Sequence, residues 1–165
     1  MDIVPTLTMY QDTNQEFATA YMWWFFLIQP APLPEHMIGL DPKFFLSALF
    51  SQVTPGAVTP EAMSEYVRCF DCSSTIHAVC NDYRAGAGID LEMDAADDKL
   101  GRKIELPVRV LWGANGVVGH LWDVLAEWRK KTNGPLTGRA LKSGHLIPEE
   151  APKEVLAELF EFFVD

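Results

Sequence analysis

The residues best suited to chemistry lie near the two ends of the chain. His145 sits in Ser143-Gly144-His145, between a short strand-like segment and the amphipathic segment that closes the sequence. Imidazole ordinarily titrates close to neutral pH, so a loop histidine can take up and return a proton. The glycine beside it lets the loop approach a site closely. A histidine base in turn needs an acid to orient it and balance its charge. Two positions compete for that acid. The loop after residues 107–112 reads Gly113-Ala114-Asn115-Gly116 and holds no carboxylate. The other position is Asp2, at the end of an apolar strand piece, the place where open α/β sheets keep their sites. Taken singly, His145 also reads as an ordinary loop residue and Asp2 as a solvated one.

A second cluster, Cys69, Cys72, His77 and Cys80, has the ligand types of a zinc knuckle. Its last gap is too short, and residues 74–84 read as one helix, so reduced thiols and no metal are expected. Three cysteines within twelve residues make no disulfide framework. Asp94, Asp97 and Asp98 read as a solvated loop without the glycine turn of a calcium site.

These groups must be positioned by a chain of 165 residues, 48 % apolar and 22 % charged, which is enough for a packed core. The formal charge of −10 and the limitation of basic clustering to Arg129, Lys130 and Lys131 argue against nucleic acid as a partner. No apolar run approaches the ~18 residues of a membrane span, and no signal peptide is apparent after Met1, so a cytoplasmic protein is expected.

The coarse organisation follows from the punctuation. Residues 1–6 read as the end of a strand stopped by Pro5. Residues 14–28 read as one aromatic helix, and 30–42, with four prolines, as an extended connection. Asp41-Pro42 and Thr59-Pro60 each supply a cap followed by a proline, opening helices that run to about residues 50 and 70. A further helix is expected over 74–87, then an acidic polar stretch over 90–102. Residues 107–112 (PVRVLW) and 138–141 read as short buried parallel strands, with a helix between them over 118–131. The last helix, 151–163, carries Val155, Leu156, Leu159, Phe160 and Phe163 on one face. Strand, helical block, then β-α-β-α gives three segments: 1–6, the end of a core strand with its acid; 7–100, a helical insertion; and 101–165, core. The fold class is α/β with a parallel sheet.

In order and spacing, DIVPT, YMWWFFLIQPAPLPE, IHAVCNDYRAGAGIDLEMD and SGHLIPEEAP resemble the fluoroacetate (haloacetate) dehalogenases of the α/β-hydrolase superfamily over nearly the whole chain. The resemblance implies a partial α/β-hydrolase fold, its last three parallel strands with a helical cap inserted between the first two of them. It further implies that Asp2 is the acid and His145 the base, and that Trp24 and Tyr83 are donors to a leaving halide. Trp23 stands where the family usually places a histidine as a third donor. The nucleophilic aspartate, the arginine pair and the oxyanion donors of that family belong upstream, and none has a match here. The reading is therefore the C-terminal half of a 2-haloacid hydrolase, inactive by itself, with a small-molecule substrate, no cofactor, and either a homodimer or a partner half. The alternatives are an epoxide or ester hydrolase of the same fold, or a non-catalytic fragment that needs a partner.

Overall fold

The computed structural model describes residues 2–51 and 53–164. The chain forms two compact units: Met1–Asp12 with Asp94–Asp165, and Thr13–Met93 between them in sequence.

The first unit begins with residues 2–5 and helix α1 (Thr6–Gln11). The strand expected over 1–6 contributes no ladder among the described residues, and Met1 lies outside them. The carbonyl of Ile3 instead accepts the indole N–H of Trp128 at 2.9 Å, Pro5 has no N–H to offer, and Val4 is fully buried.

The Thr13–Met93 unit is helical. The single helix expected over 14–28 is two, α2 (Gln15–Ala20) and α3 (Met22–Leu27), because Tyr21 leaves helical geometry at φ −113°, ψ 38°. Asn14 caps α2 by accepting the N–H of Phe17. The prolines of 30–42 do not keep that segment extended: α4 spans Leu33–Leu40. Pro34 falls in the first turn, where no intrahelical N–H is required, and Glu35 beside it suits the positive end of the helix dipole. Helices α5 (Pro42–Phe50) and α6 (Pro60–Phe70) open on the side-chain caps Asp41 and Thr59, each followed by proline, as the sequence indicates. Then comes α7 (Ser73–Gly86), followed by α8 (Ile89–Leu100), whose residues from Asp94 onward belong to the first unit. The acidic stretch is thus a helix rather than a loop. Asp90 and Glu92 occupy its first turn and Lys99 its last, an arrangement favoured by the dipole. The core of this unit gathers Leu27, Ile38, Ile76 and Cys80, with Trp23, Phe26, Phe45, Phe70, Val79 and Tyr83 packed around them.

In the remainder of the first unit, β1 (Val108–Gly113) and β2 (Leu136–Leu141) pair in parallel, Val108 opposite Leu136 through Gly113 opposite Leu141. Parallel strands need a crossover. It is supplied by α9 (Val117–Leu121) and α10 (Val124–Lys131) rather than by one helix, since Asp123 starts a new one by accepting the N–H of Ala126. A short α11 (Ile147–Glu150) leads to α12 (Pro152–Val164). Leu141, Ile147 and Ala151 form the core there, with Leu111 and Val155.

Helix α12 does not bury the apolar face that its periodicity suggests. Val155 packs inward, but Leu156, Leu159, Phe160 and Phe163 are 45–74 % exposed. The buried stripe instead runs through Glu158, whose carboxylate accepts from Arg109 of β1 at 2.9 Å and Arg139 of β2 at 2.6 Å. Two guanidinium groups on the strands fix which side of the helix turns inward.

Candidate active site

Asp2 and His145 meet. Although 143 residues apart in sequence, Nδ1 of His145 lies 2.9 Å from Oδ2 of Asp2. The Asp2 side chain is fully buried, whereas the imidazole is 55 % exposed. The other carboxylate oxygen, Oδ1, accepts the backbone N–H of Gly113 at 2.9 Å. An ionised carboxylate can only accept, so Nδ1 is the protonated nitrogen and Nε2 becomes the basic one. That is the tautomer a general base requires.

The strand ends supply the frame. Gly113 closes β1, and a Cβ there would stand 2.1 Å from the carbonyl oxygen of Gly144 and 2.8 Å from that of Ser143. Only glycine lets the end of β1 lie against the histidine loop. The same loop is tied further by Asn115, whose N–H donates to the carbonyl of Ser143 at 3.0 Å. The Gly113-Ala114-Asn115-Gly116 loop therefore holds no acid of its own and instead seats the acid and the base. Sequence reasoning missed this role because backbone amides carry no side-chain signature.

The other singled-out residues belong to the helical unit. Trp24 and Tyr83 are in edge-on contact, ring centroids 6.5 Å apart, and Trp24 also meets Phe17 and Tyr21 edge-on. Burial, with the charge of Asp82 adding to it, pushes the Tyr83 phenol above its ordinary range, so the phenol keeps its proton for donation. Trp23 faces different neighbours: it packs on the core of this unit and lies edge-on to Phe45 at 6.0 Å. Arg84, next to Tyr83, grips Glu35 with both Nη atoms at 2.7 and 3.0 Å and donates to the carbonyl of Gln29. The two most distinctive sequence motifs, one ending in Gln29 to Glu35 and the other holding Tyr83-Arg84, are thus clamped to one another. The Arg84 hydrogen bonds, with a lesser one from His77, hold the Glu35 carboxyl down at about 2.

The four zinc-type residues do not converge. Cys69 and Cys72 are exposed, Cys80 is buried in the core, and His77 bonds Glu35 and Asn81. Among the described residues no cluster of His, Cys, Asp or Glu could hold a metal ion, and no helix is long and apolar enough to cross a membrane. The aspartates of the acidic helix are engaged on the surface, Asp97 with Arg102 and Asp98 with Lys131.

No family model matches the sequence. Fluoroacetate dehalogenase of Burkholderia sp is 36 % identical over 168 residues, a match covering all of this chain and 54 % of that protein. Soluble epoxide hydrolase of Corynebacterium sp. (strain C12) is 29 % identical over 127 residues, covering 76 % of this chain and 42 % of its own length. Among solved structures, a provisionally described α/β-hydrolase from Nostoc sp PCC 7120 superposes with a TM-score of 0.91 at 48 % identity, over 98 % of this chain and 55 % of its own. The chain spans about half the length of the curated relatives it matches. The parallel pair of strands, the helices around it and these likenesses together make this chain part of an α/β-hydrolase fold, homologous to a fluoroacetate dehalogenase and an epoxide hydrolase.

Proposed function

We propose that this chain supplies the acid–base pair and the leaving-group contacts of a hydrolase that works through an aspartyl ester, with a 2-haloacid as substrate. The observation that carries the reading is the 2.9 Å bond between His145 and the buried Asp2 carboxylate. In the first step an aspartate carboxylate oxygen, contributed from outside these residues, attacks the carbon bearing the halogen. The carbon–halogen bond breaks and the halide leaves with its electron pair. Trp24 and Tyr83, which carry an N–H and an O–H donor, receive that charge. In the second step Nε2 of His145 takes a proton from water, and the resulting hydroxide adds to the ester carbonyl. Collapse breaks the bond between the acyl carbon and the ester oxygen, the added hydroxyl's proton ends on the departing hydroxyacid, and the aspartate carboxylate is restored; the imidazolium, stabilised by Asp2, then gives its proton to water. Trp24 and Tyr83 both belong to the Thr13–Met93 unit, which makes up most of the helical insertion expected over 7–100.

A second reading, epoxide opening by the same ester chemistry, is favoured by one feature: an indole at Trp23, packed against Phe45, where a third polar donor is expected. An oxirane oxygen needs donors but no halide cradle.

The test is a fusion of this chain to the portion of the Burkholderia enzyme that it does not match. The fusion is expected to turn over fluoroacetate or chloroacetate with continuing halide release, and His145→Ala to stop that turnover after at most one halide per chain, the ester then accumulating. Diol formation from an epoxide without halide release would favour the second reading. A fusion that melts cooperatively yet turns over none of these substrates would refute both. The 165-residue chain alone is expected to release no halide; continuing release that His145→Ala stops after one turnover would show that it needs no outside nucleophile.

A further inference from the structure

Glu150 reaches back around His145. Its Oε2 accepts the backbone N–H of Gly144 at 3.0 Å and its Oε1 accepts that of Leu146 at 3.2 Å. One carboxylate therefore holds the amides on both sides of the histidine. A Cβ on residue 144 would stand 2.9 Å from Oε1 and 3.2 Å from Oε2, so a larger residue there would push the Glu150 carboxylate aside. The opposite edge of the loop is tied to the end of β1 through the Asn115 N–H and the Ser143 carbonyl. His145 itself is more than half exposed. Its ring direction is consequently set by its backbone at one end and by the Asp2 contact at the other.

We infer that Glu150 is a positioning residue for the His145 base, fixing the backbone on both sides of the histidine so that Nδ1 reaches Asp2. This inference rests on reading Asp2 and His145 as the acid–base pair. Because both Glu150 oxygens face amide donors, its carboxylate is occupied as a clamp and is not the group that moves protons. A charged acceptor makes stronger bonds to amides than a neutral one, and a carboxylate, unlike a carboxamide, can accept at both ends. Glutamine can replace one bond but turns its NH₂ toward the other amide.

The experiment is nuclear magnetic resonance on the full 165-residue chain, labelled with ¹⁵N, reading two signals: the His145 Nδ1–H proton, and hydrogen exchange at the Gly144 and Leu146 amides. In the unaltered chain the Nδ1–H signal is expected to be resolved and both amides protected. Glu150→Ala should speed exchange of both amides roughly tenfold, the loss of a charged hydrogen bond each, and broaden the Nδ1–H signal away. Glu150→Gln should keep one amide protected and partly restore the ring signal. A merely structural role would lower the melting temperature and leave the ring signal sharp. Asp2→Asn separates the two levels, since it removes the partner of Nδ1 and leaves the Glu150 clamp in place. If the ring signal does not depend on Asp2, the acid–base reading fails and the role of Glu150 with it. If it depends on Asp2 but stays sharp in Glu150→Gln while a loop amide loses protection, only the positioning inference fails. Should Glu150→Ala not fold, Glu150→Gln carries the same decision.

Discussion

Replacing Asp2 in two ways separates its contribution to stability from its contribution to the tautomer of His145. In Asp2→Ala the buried Gly113 N–H loses its acceptor. A hydrogen bond to a charged acceptor contributes about 1.5–3 kcal/mol, and an orphaned buried donor cannot recover it from water. The bond to His145 adds little to that figure, because the imidazole is 55 % exposed and water can replace the lost partner. For a domain of this size the loss corresponds to a fall in melting temperature of roughly 4–10 °C. Asp2→Asn preserves shape. Its carbonyl oxygen can take the place of Oδ1 opposite Gly113, and it also removes the desolvation cost of a buried charge, so its stability should stay within about 1 kcal/mol of the original. The carboxamide then turns its NH₂ toward Nδ1 and drives the imidazole proton to Nε2. Urea unfolding followed by tryptophan fluorescence, with ¹⁵N spectra of the imidazole, reads both effects. If asparagine is as destabilising as alanine, or if the proton stays on Nδ1, Asp2 does not act on His145 through the contact described above.

Three further outcomes follow from other parts of the molecule. The exposed Cys72 thiol is lowered to about 7, chiefly by the hydroxyl of Ser74, with further hydrogen bonds from Thr75 and the Ser74 backbone. It should be the first of the three cysteines alkylated by iodoacetamide at pH 8, with its rate falling below pH 7, while Cys80 reacts only on unfolding; peptide mass spectrometry gives the order. Glu35 sits at about 2 in the folded chain against an ordinary 4.5, so its contribution to stability is fully present above pH 4.5 and is lost as pH falls toward 2. Urea midpoints measured between pH 6 and 2.5 should therefore fall less steeply for Glu35→Gln than for the unaltered chain. Ile38→Ala, at a position 1 % exposed in the helical core, should cost about 2–5 kcal/mol, whereas Phe163→Ser, 74 % exposed, should change stability by only about 0.5 kcal/mol.

How much was legible in the sequence depended on whether the signal was local. Asp41-Pro42 and Thr59-Pro60 announce helix starts because cap and proline act within one turn, and the structure shows both. The run of β1 was readable because Pro107 and Gly113 bound a short, mostly apolar segment, whereas β2 (Leu136–Leu141) alternates exposed and half-buried positions and starts two residues before the expected 138–141. Pro34 misled, since a proline can open a helix as well as block one. The acidic stretch misled because Asp90 and Glu92 are as much at home in a first helical turn as in a solvated loop. The inward side of α12 was hidden for a different reason. It depends on Arg109 and Arg139 reaching Glu158 from two strands, a long-range arrangement that no helical periodicity encodes. The site divides along the same line. His145 stood out by its place between a strand and the terminal helix, Asp2 was one of two competing positions until the resemblance chose it, and the amide of Gly113 did not stand out at all.

The split of the first unit around Thr13–Met93 has a kinetic consequence. Bringing Asp2 to His145 closes a loop of 143 residues, an entropic barrier that grows with the logarithm of its length. Thr13–Met93 contains its own core, Leu27 with Ile38, Ile76 and Cys80, assembled from partners much nearer in sequence. Local contacts form sooner than distant ones. If the helices condense first, they draw the two outer segments nearer along the chain, and the hydrogen bond between aspartate and histidine becomes the late event that marks a finished fold.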